Sequence, residues 1–180
     1  PASRTRSSGR RPTGRQRAGG RDEKADDDEQ AEHELERERV FARCWLYLGH
    51  ECEIPRPGDF VTRYMGEEAV ILCRDLHGGL RAHLNLCRHR GNRVCRADRG
   101  NTKLFTCSYH GWSYTSDGKL AVVPMVDSFK GLEREKWGLI PVAQIDSYKG
   151  LIFATFDPDA PKLLEYLGDM AWYLDILLDR

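Results

Sequence analysis

Two short pairs of residues in this sequence carry ligand chemistry. Cys87 and His89 form a Cys-x-His pair, and Cys107 and His110 form a Cys-x-x-His pair, with seventeen residues between the two. Thiolate and imidazole are ligands for zinc, copper and iron–sulfur centres, whereas carboxylate and carbonyl oxygens suit harder ions. The surrounding segment, "NLCRHRGNRVCRADRGNTKLFTCSYHGWSY", is also rich in arginine.

Two centres fit a set of two cysteines and two histidines. Zinc sites usually show C-x₂₋₄-C answered by H-x₃₋₅-H, so that each pair is of one kind. Here each pair mixes one Cys with one His. In a Rieske [2Fe–2S] centre two Cys hold one iron and two His hold the other. Two loops, each giving one sulfur and one nitrogen, can clamp such a unit from both sides, and the mixed pairing favours it over zinc. Charge explains the ligand choice: two thiolates cancel the +2 of two ferric ions and two sulfides, and neutral imidazoles add nothing. The resulting reduction potential lies between about −150 and +300 mV.

The elements that must position these residues are legible as patterns. Residues 1–30 are poor in apolar side chains and are expected to be a disordered tail. Within them, residues 1–21 hold seven arginines and no acid. From Ala31, "AEHELERERVFARCWLYLGH" is expected to be helical, and "EIPRPGDF" breaks it, giving a helix and linker over 31–57. Short β-like runs follow: "DFVTRYM", "EAVILCR", "GLRAHLNL", "KLFTCSY" and "KGLIFATF", with Gly-containing turns such as "LHGGL". They predict a small antiparallel β domain over 58–156. After "DPDAP", Pro161 is expected in the first turn of a helix with Leu163, Leu167, Met170, Leu174 and Leu177 on one face. The fold class is therefore mainly β, with flanking helices at both ends.

The remaining candidates have bland readings. Cys44, Cys52 and Cys73 are expected to be buried, and Cys95 to pack rather than ligate. Lys+Arg and Asp+Glu both number 28, so net charge predicts neither a nucleic-acid nor a membrane partner. No apolar run reaches the roughly 18–20 residues of a membrane span, and no signal-peptide h-region follows the basic start. A cytoplasmic location is expected. Asp75, His77 and His83 come nearest to a D-x₂-H-x₄₋₅-H iron motif, but the spacing fails and they flank a tight turn. His33 and His50 have no ligand-like neighbours.

"CRHRG" followed by "CSYHGW", with "ELERERVFARCWLYLGHECEIPRPGDFVTRYMGEE" before it and "YKGLIFATFDPDAP" after it, resembles the large (α) subunit of bacterial aromatic-ring-hydroxylating dioxygenases, biphenyl- or polycyclic-hydrocarbon-like. The resemblance implies a Rieske domain whose ligands are Cys87, His89, Cys107 and His110. It implies that 157–180 begins a catalytic domain, so that the chain is an N-terminal portion with no catalytic residue of its own. The mononuclear Fe(II) then belongs to the complete subunit, and this chain alone is expected to be inactive. Implied partners are a ferredoxin fed by an NADH-dependent reductase, other α and β subunits, and an aromatic hydrocarbon converted to a cis-dihydrodiol. Arg88, Arg90, Arg93, Arg96, Arg99 and Lys103 are read either as a solvated loop or as a docking face for an acidic ferredoxin, with Arg88 and Arg90 also placed to compensate the charge of the reduced cluster. Respiratory Rieske proteins resembling "CTHLGC" and "CPCHGS" tie their loops by a disulfide. Asn92 and Tyr109 occupy the corresponding positions here, and Trp112 replaces a hydrogen-bonding serine. Fewer donors to the sulfurs place the expected potential in the lower half of the range. The competing readings are a free-standing Rieske-type ferredoxin and a zinc-bound interaction module.

Overall fold

The computed structural model describes residues 31–179; the arginine-rich stretch read as a disordered tail lies outside the described residues. The chain is α-helical over residues 31–36 and widens to a π-helix over Arg37–Phe41. The expected helix does not continue to residue 50. Leu46–His50 is instead strand β1. A run such as "CWLYLGH" satisfies either period, and tertiary pairing decides it. Leu48 is buried, and Leu46 and His50 face Ala154 and Leu151 of an antiparallel partner.

Nine further strands follow: β2 (Asp59–Met65), β3 (Glu68–Arg74), β4 (Leu80–Leu84), β5 (Arg99–Asn101), β6 (Leu104–Thr106), β7 (Ser113–Thr115), β8 (Leu120–Val122), β9 (Gln144–Tyr148) and β10 (Leu151–Thr155). They form three antiparallel sheets, ordered β1-β10-β9, β4-β3-β2-β5 and β6-β7-β8. The β2–β3–β4 sheet is the central layer. Val61, Val70, Leu72 and Ala82 of that layer join Leu48, Ile152 and Ala154 in one core. Phe60, Ile71 and Cys73, on its opposite face, join Phe105, Trp112, Tyr114 and Leu120 in a second. Burial on both faces explains why "EAVILCR" shows no apolar–polar alternation.

The Asp75 turn between β3 and β4 is a structural device. Its carboxylate accepts from the N–H of His77 (2.9 Å) and Gly79 (2.8 Å) and from Arg81 Nε (2.8 Å). His83 leaves that turn and is buried, with Nε2 3.2 Å from the Ser116 carbonyl. Asp75 and the two histidines therefore do not converge.

Two further expectations need correction. Pro161 precedes the helix rather than lying in its first turn. The helix is also split, running over Leu163–Leu167 and then Met170–Leu178. Gly168, at φ 50°, makes the break and divides the apolar face, so that Leu163 is buried while Met170 and Leu177 are exposed. Polar contacts hold the second helix instead: Tyr148 donates to Asp175 (2.7 Å) and Lys149 Nζ to Asp179 (2.7 and 2.8 Å). Among the described residues, no helix is long and apolar enough to cross a membrane.

Candidate metal centre

Cys87 and Cys107 begin two loops that close in the same way. In the first, Cys87 N donates to Asn92 O (2.8 Å) and Gly91 N to Cys87 O (2.8 Å). In the second, Cys107 N donates to Trp112 O (2.8 Å) and Gly111 N to Cys107 O (2.9 Å). Each loop thus spans from a cysteine to the fifth residue after it. Gly91 (φ 69°) and Gly111 (φ 73°) sit at matching positions in the left-handed region, where a side chain would be strained. The first loop follows β4, and the second joins β6 to β7, so two different sheets hold them in register.

Sequence pairs each cysteine with a histidine, but space pairs like with like. The two cysteines are buried in one cluster. The histidine rings meet edge to face, with centroids 4.7 Å apart. His89 stacks flat on Trp112 at 4.9 Å and 9°, with Phe129 against its edge at 5.8 Å. Trp112 is itself buried and touches Phe129 and Trp137 of the segment between β8 and β9. The Trp112 indole is a ring that fixes the histidine's plane.

Two side-chain donors reach the sulfurs. The Tyr114 hydroxyl lies 3.3 Å from Cys87 Sγ and accepts from Arg88 N at 3.1 Å. Asn92 Nδ2 donates to Cys107 Sγ at 3.4 Å. Burial works against a charged Cys107, but the N–H of Tyr109, the Asn92 amide, Cys87 and the N–H of His110 outweigh it and acidify the thiol. Burial pushes the Tyr114 hydroxyl up, reinforced by its bond to Cys87. Burial first, then the His110 and Arg90 charges, hold His89 below the usual imidazole range. A neutral imidazole and an acidified thiol are the protonation states that metal binding requires.

His89 Nδ1 is buried and has no hydrogen-bond partner. A bound metal would satisfy this orphaned lone pair, and on that observation the residues fit a metal group. Among the described residues, no three His, Cys, Asp or Glu side chains converge on one ion position. Tetrahedral zinc needs four ligands around one ion. Each iron of a Rieske unit takes only two side chains.

The other expected residues fall as follows. Arg90, Arg93, Arg96, Arg99 and Lys103 are exposed around the first loop and its return, and Arg88 is half-buried. Arg93 packs over Tyr64 and donates to its hydroxyl. Cys73 is buried and Cys95 packs partly buried against the core, but Cys52 is exposed and Cys44 only half-buried, contrary to expectation. Tyr114 and Phe129 are not picked out by the sequence as neighbours of the site, and Asn92 only as a residue in place of a loop-tying cysteine, because each meets the site across a loop or a sheet.

Comparison with known proteins now bears on the same residues. Residues 44–146 match the Rieske [2Fe-2S] domain model. The chain is 53% identical over 153 residues to the biphenyl 2,3-dioxygenase α subunit of Rhodococcus jostii, covering 84% of this chain and 33% of that one. It is 51% identical to the benzene 1,2-dioxygenase α subunit of Pseudomonas putida, covering 82% and 33%. The crystal structure of naphthalene 1,2-dioxygenase from Rhodococcus sp. superposes with a TM-score of 0.79 at 52% identity, over 82% of this chain and 34% of that one. A quaternary ammonium Rieske monooxygenase superposes at 0.74 with 30% identity, over 79% and 39%, so the fold alone does not specify a substrate. The chain spans about a third of the length of the curated dioxygenase relatives. Since that match encloses both loops and the sheets that carry them, the chain belongs to the Rieske [2Fe-2S] domain family.

Proposed function

We propose that this chain is the electron-accepting portion of an aromatic-ring-hydroxylating dioxygenase α subunit. Cys87 and Cys107 hold one iron of its cluster, and His89 and His110 hold the other. The observation that carries the assignment is that the mixed sequence pairs bring both cysteines into one buried cluster and both histidine rings together, with His89 Nδ1 left unpartnered. When bound, the [2Fe–2S] group supplies a one-electron store at somewhere between about −150 and +300 mV.

The chain's own residues prepare that site. Trp112 and Phe129 hold the plane of His89 and keep water from its inner nitrogen. Tyr114 and Asn92 direct N–H and O–H dipoles at the sulfurs. His110 is exposed and gives the imidazole pair its outward edge. Residues 58–156, extended by β1, form the Rieske domain, and 157–180 begin the catalytic domain of the complete subunit. That domain carries the mononuclear Fe(II), and the complete cytoplasmic enzyme adds O₂ to an aromatic hydrocarbon to give a cis-dihydrodiol. Its α subunits associate with one another and with β subunits, and electrons arrive from NADH through a reductase and a ferredoxin.

The exposed arginines 90, 93, 96 and 99 beside the first loop fit an acidic ferredoxin. Mixing the cluster-loaded chain anaerobically with NADH, reductase and an acidic ferredoxin should reduce it by one electron per cluster. The rate should fall as salt rises through about 0.1 M, where the Debye length shrinks to about 10 Å. Failure to be reduced contradicts the electron-accepting reading. A rate indifferent to salt contradicts the docking face alone.

A further inference from the structure

Asn92 joins the two ligand loops. Its backbone carbonyl accepts from Cys87 N at 2.8 Å and so closes the first loop. Its side-chain Nδ2 donates to Arg93 O at 2.9 Å and to Cys107 Sγ, in the second loop, at 3.4 Å. Its Oδ1 accepts from Arg96 Nη2 at 3.4 Å. These three side-chain contacts agree on one orientation of the amide. Reversed, it would set oxygen against a carbonyl and a sulfur, and N–H groups against a guanidinium.

The arrangement has an electrical consequence. One-electron reduction adds negative charge that the thiolates share, so a donor to a thiolate stabilises the reduced form more than the oxidised one. The Arg96 guanidinium on Oδ1 polarises the amide and strengthens its N–H as a donor. The other side-chain donor at the sulfurs, Tyr114, serves Cys87, and Asn92 serves Cys107. Each sulfur therefore has its own side-chain supply of positive dipole.

We propose that Asn92 is a positioning residue of the metal centre. Its amide N–H, donated across the loop interface to Cys107 Sγ, raises the reduction potential and ties the loops together without a covalent bridge. Arg96 holds this amide through its contact with Oδ1. The inference rests on Cys107 being a cluster ligand, as proposed above.

The test uses the full chain carrying its cluster. Asn92→Leu keeps most of the volume and removes the donor. It should lower the equilibrium constant for reduction about threefold to tenfold, which is about 30–60 mV at 59 mV per decade for one electron. Asn92→Asp should lower it further, because it removes the donor and adds a charge. Potentials equal to that of the unaltered protein in both variants, with the cluster's EPR signal retained, would overturn the inference while leaving the ligand assignment standing. Should neither variant fold, the unaltered protein decides the matter. Labelled with ¹⁵N at asparagine and reduced, it should show hyperfine coupling from one side-chain amide nitrogen, and absence of that coupling overturns the proposal. If the unaltered protein gives no Rieske-type signal, the ligand reading itself fails.

Discussion

The hydroxyl of Tyr114 has two neighbours with different demands. The N–H of Arg88 can only donate, so the phenolic oxygen accepts from it and leaves its own proton for Cys87 Sγ, 3.3 Å away. Tyr114→Phe keeps the buried ring and removes both contacts. We predict a fall in reduction potential on the order of tens of mV, from the loss of a hydrogen bond to a charged group. Spectroelectrochemistry of the loaded chain would show it, and an unchanged potential would contradict the donor role. The four candidate ligands were legible because their spacing is local. Their donors were not, because Tyr114 meets Cys87 across 27 residues and Asn92 meets Cys107 across 15. Trp112 could be read only as a missing hydroxyl. Its stacking on His89 depends on a turn that brings the two loops face to face.

The β3–β4 hairpin shows how a single buried carboxylate can hold an element. Burial alone would raise the pKa of Asp75, but the N–H of Gly79, Arg81 and the N–H of His77 hold it below the ordinary carboxylate range. A depressed pKa contributes stability above the unfolded value of about 4, which is lost as pH falls through the folded value. Asp75→Ala should therefore cost about 2–3 kcal/mol near pH 7. The gap to the unaltered protein in urea unfolding should shrink below about pH 4. A gap that stays constant with pH would show that packing, not charge, is what Asp75 contributes. The hairpin itself could be read from the sequence, since β2, β3 and β4 are runs of apolar and β-branched residues around a Gly-Gly turn. Strand β5, "RGN", has no such composition, and only pairing of Arg99–Asn101 with Asp59–Val61 makes it a strand. Strand β1 is the converse case, in which a helix-compatible run is taken into a sheet by a partner strand more than 100 residues away, with Leu46 opposite Ala154 and His50 opposite Leu151.

On the scale of the whole molecule, one central sheet serves two cores, and the ligand loops lie on the side of the second. Phe60, Ile71 and Cys73 support the cluster that contains both cysteines, while Val61, Val70 and Leu72 anchor the same strands to the β1-β10-β9 sheet. The loops are thus fixed by a layer that is itself packed on both faces. The most direct test is pulsed EPR of the reduced chain, labelled with ¹⁵N at histidine, with iron and acid-labile sulfide assayed on the same sample. The account predicts iron and sulfide in equal amounts and a signal coupled to two imidazole nitrogens, with that coupling halved in His89→Cys or His110→Cys. Stoichiometric zinc with no signal, or an iron–sulfur signal without nitrogen coupling, would contradict it.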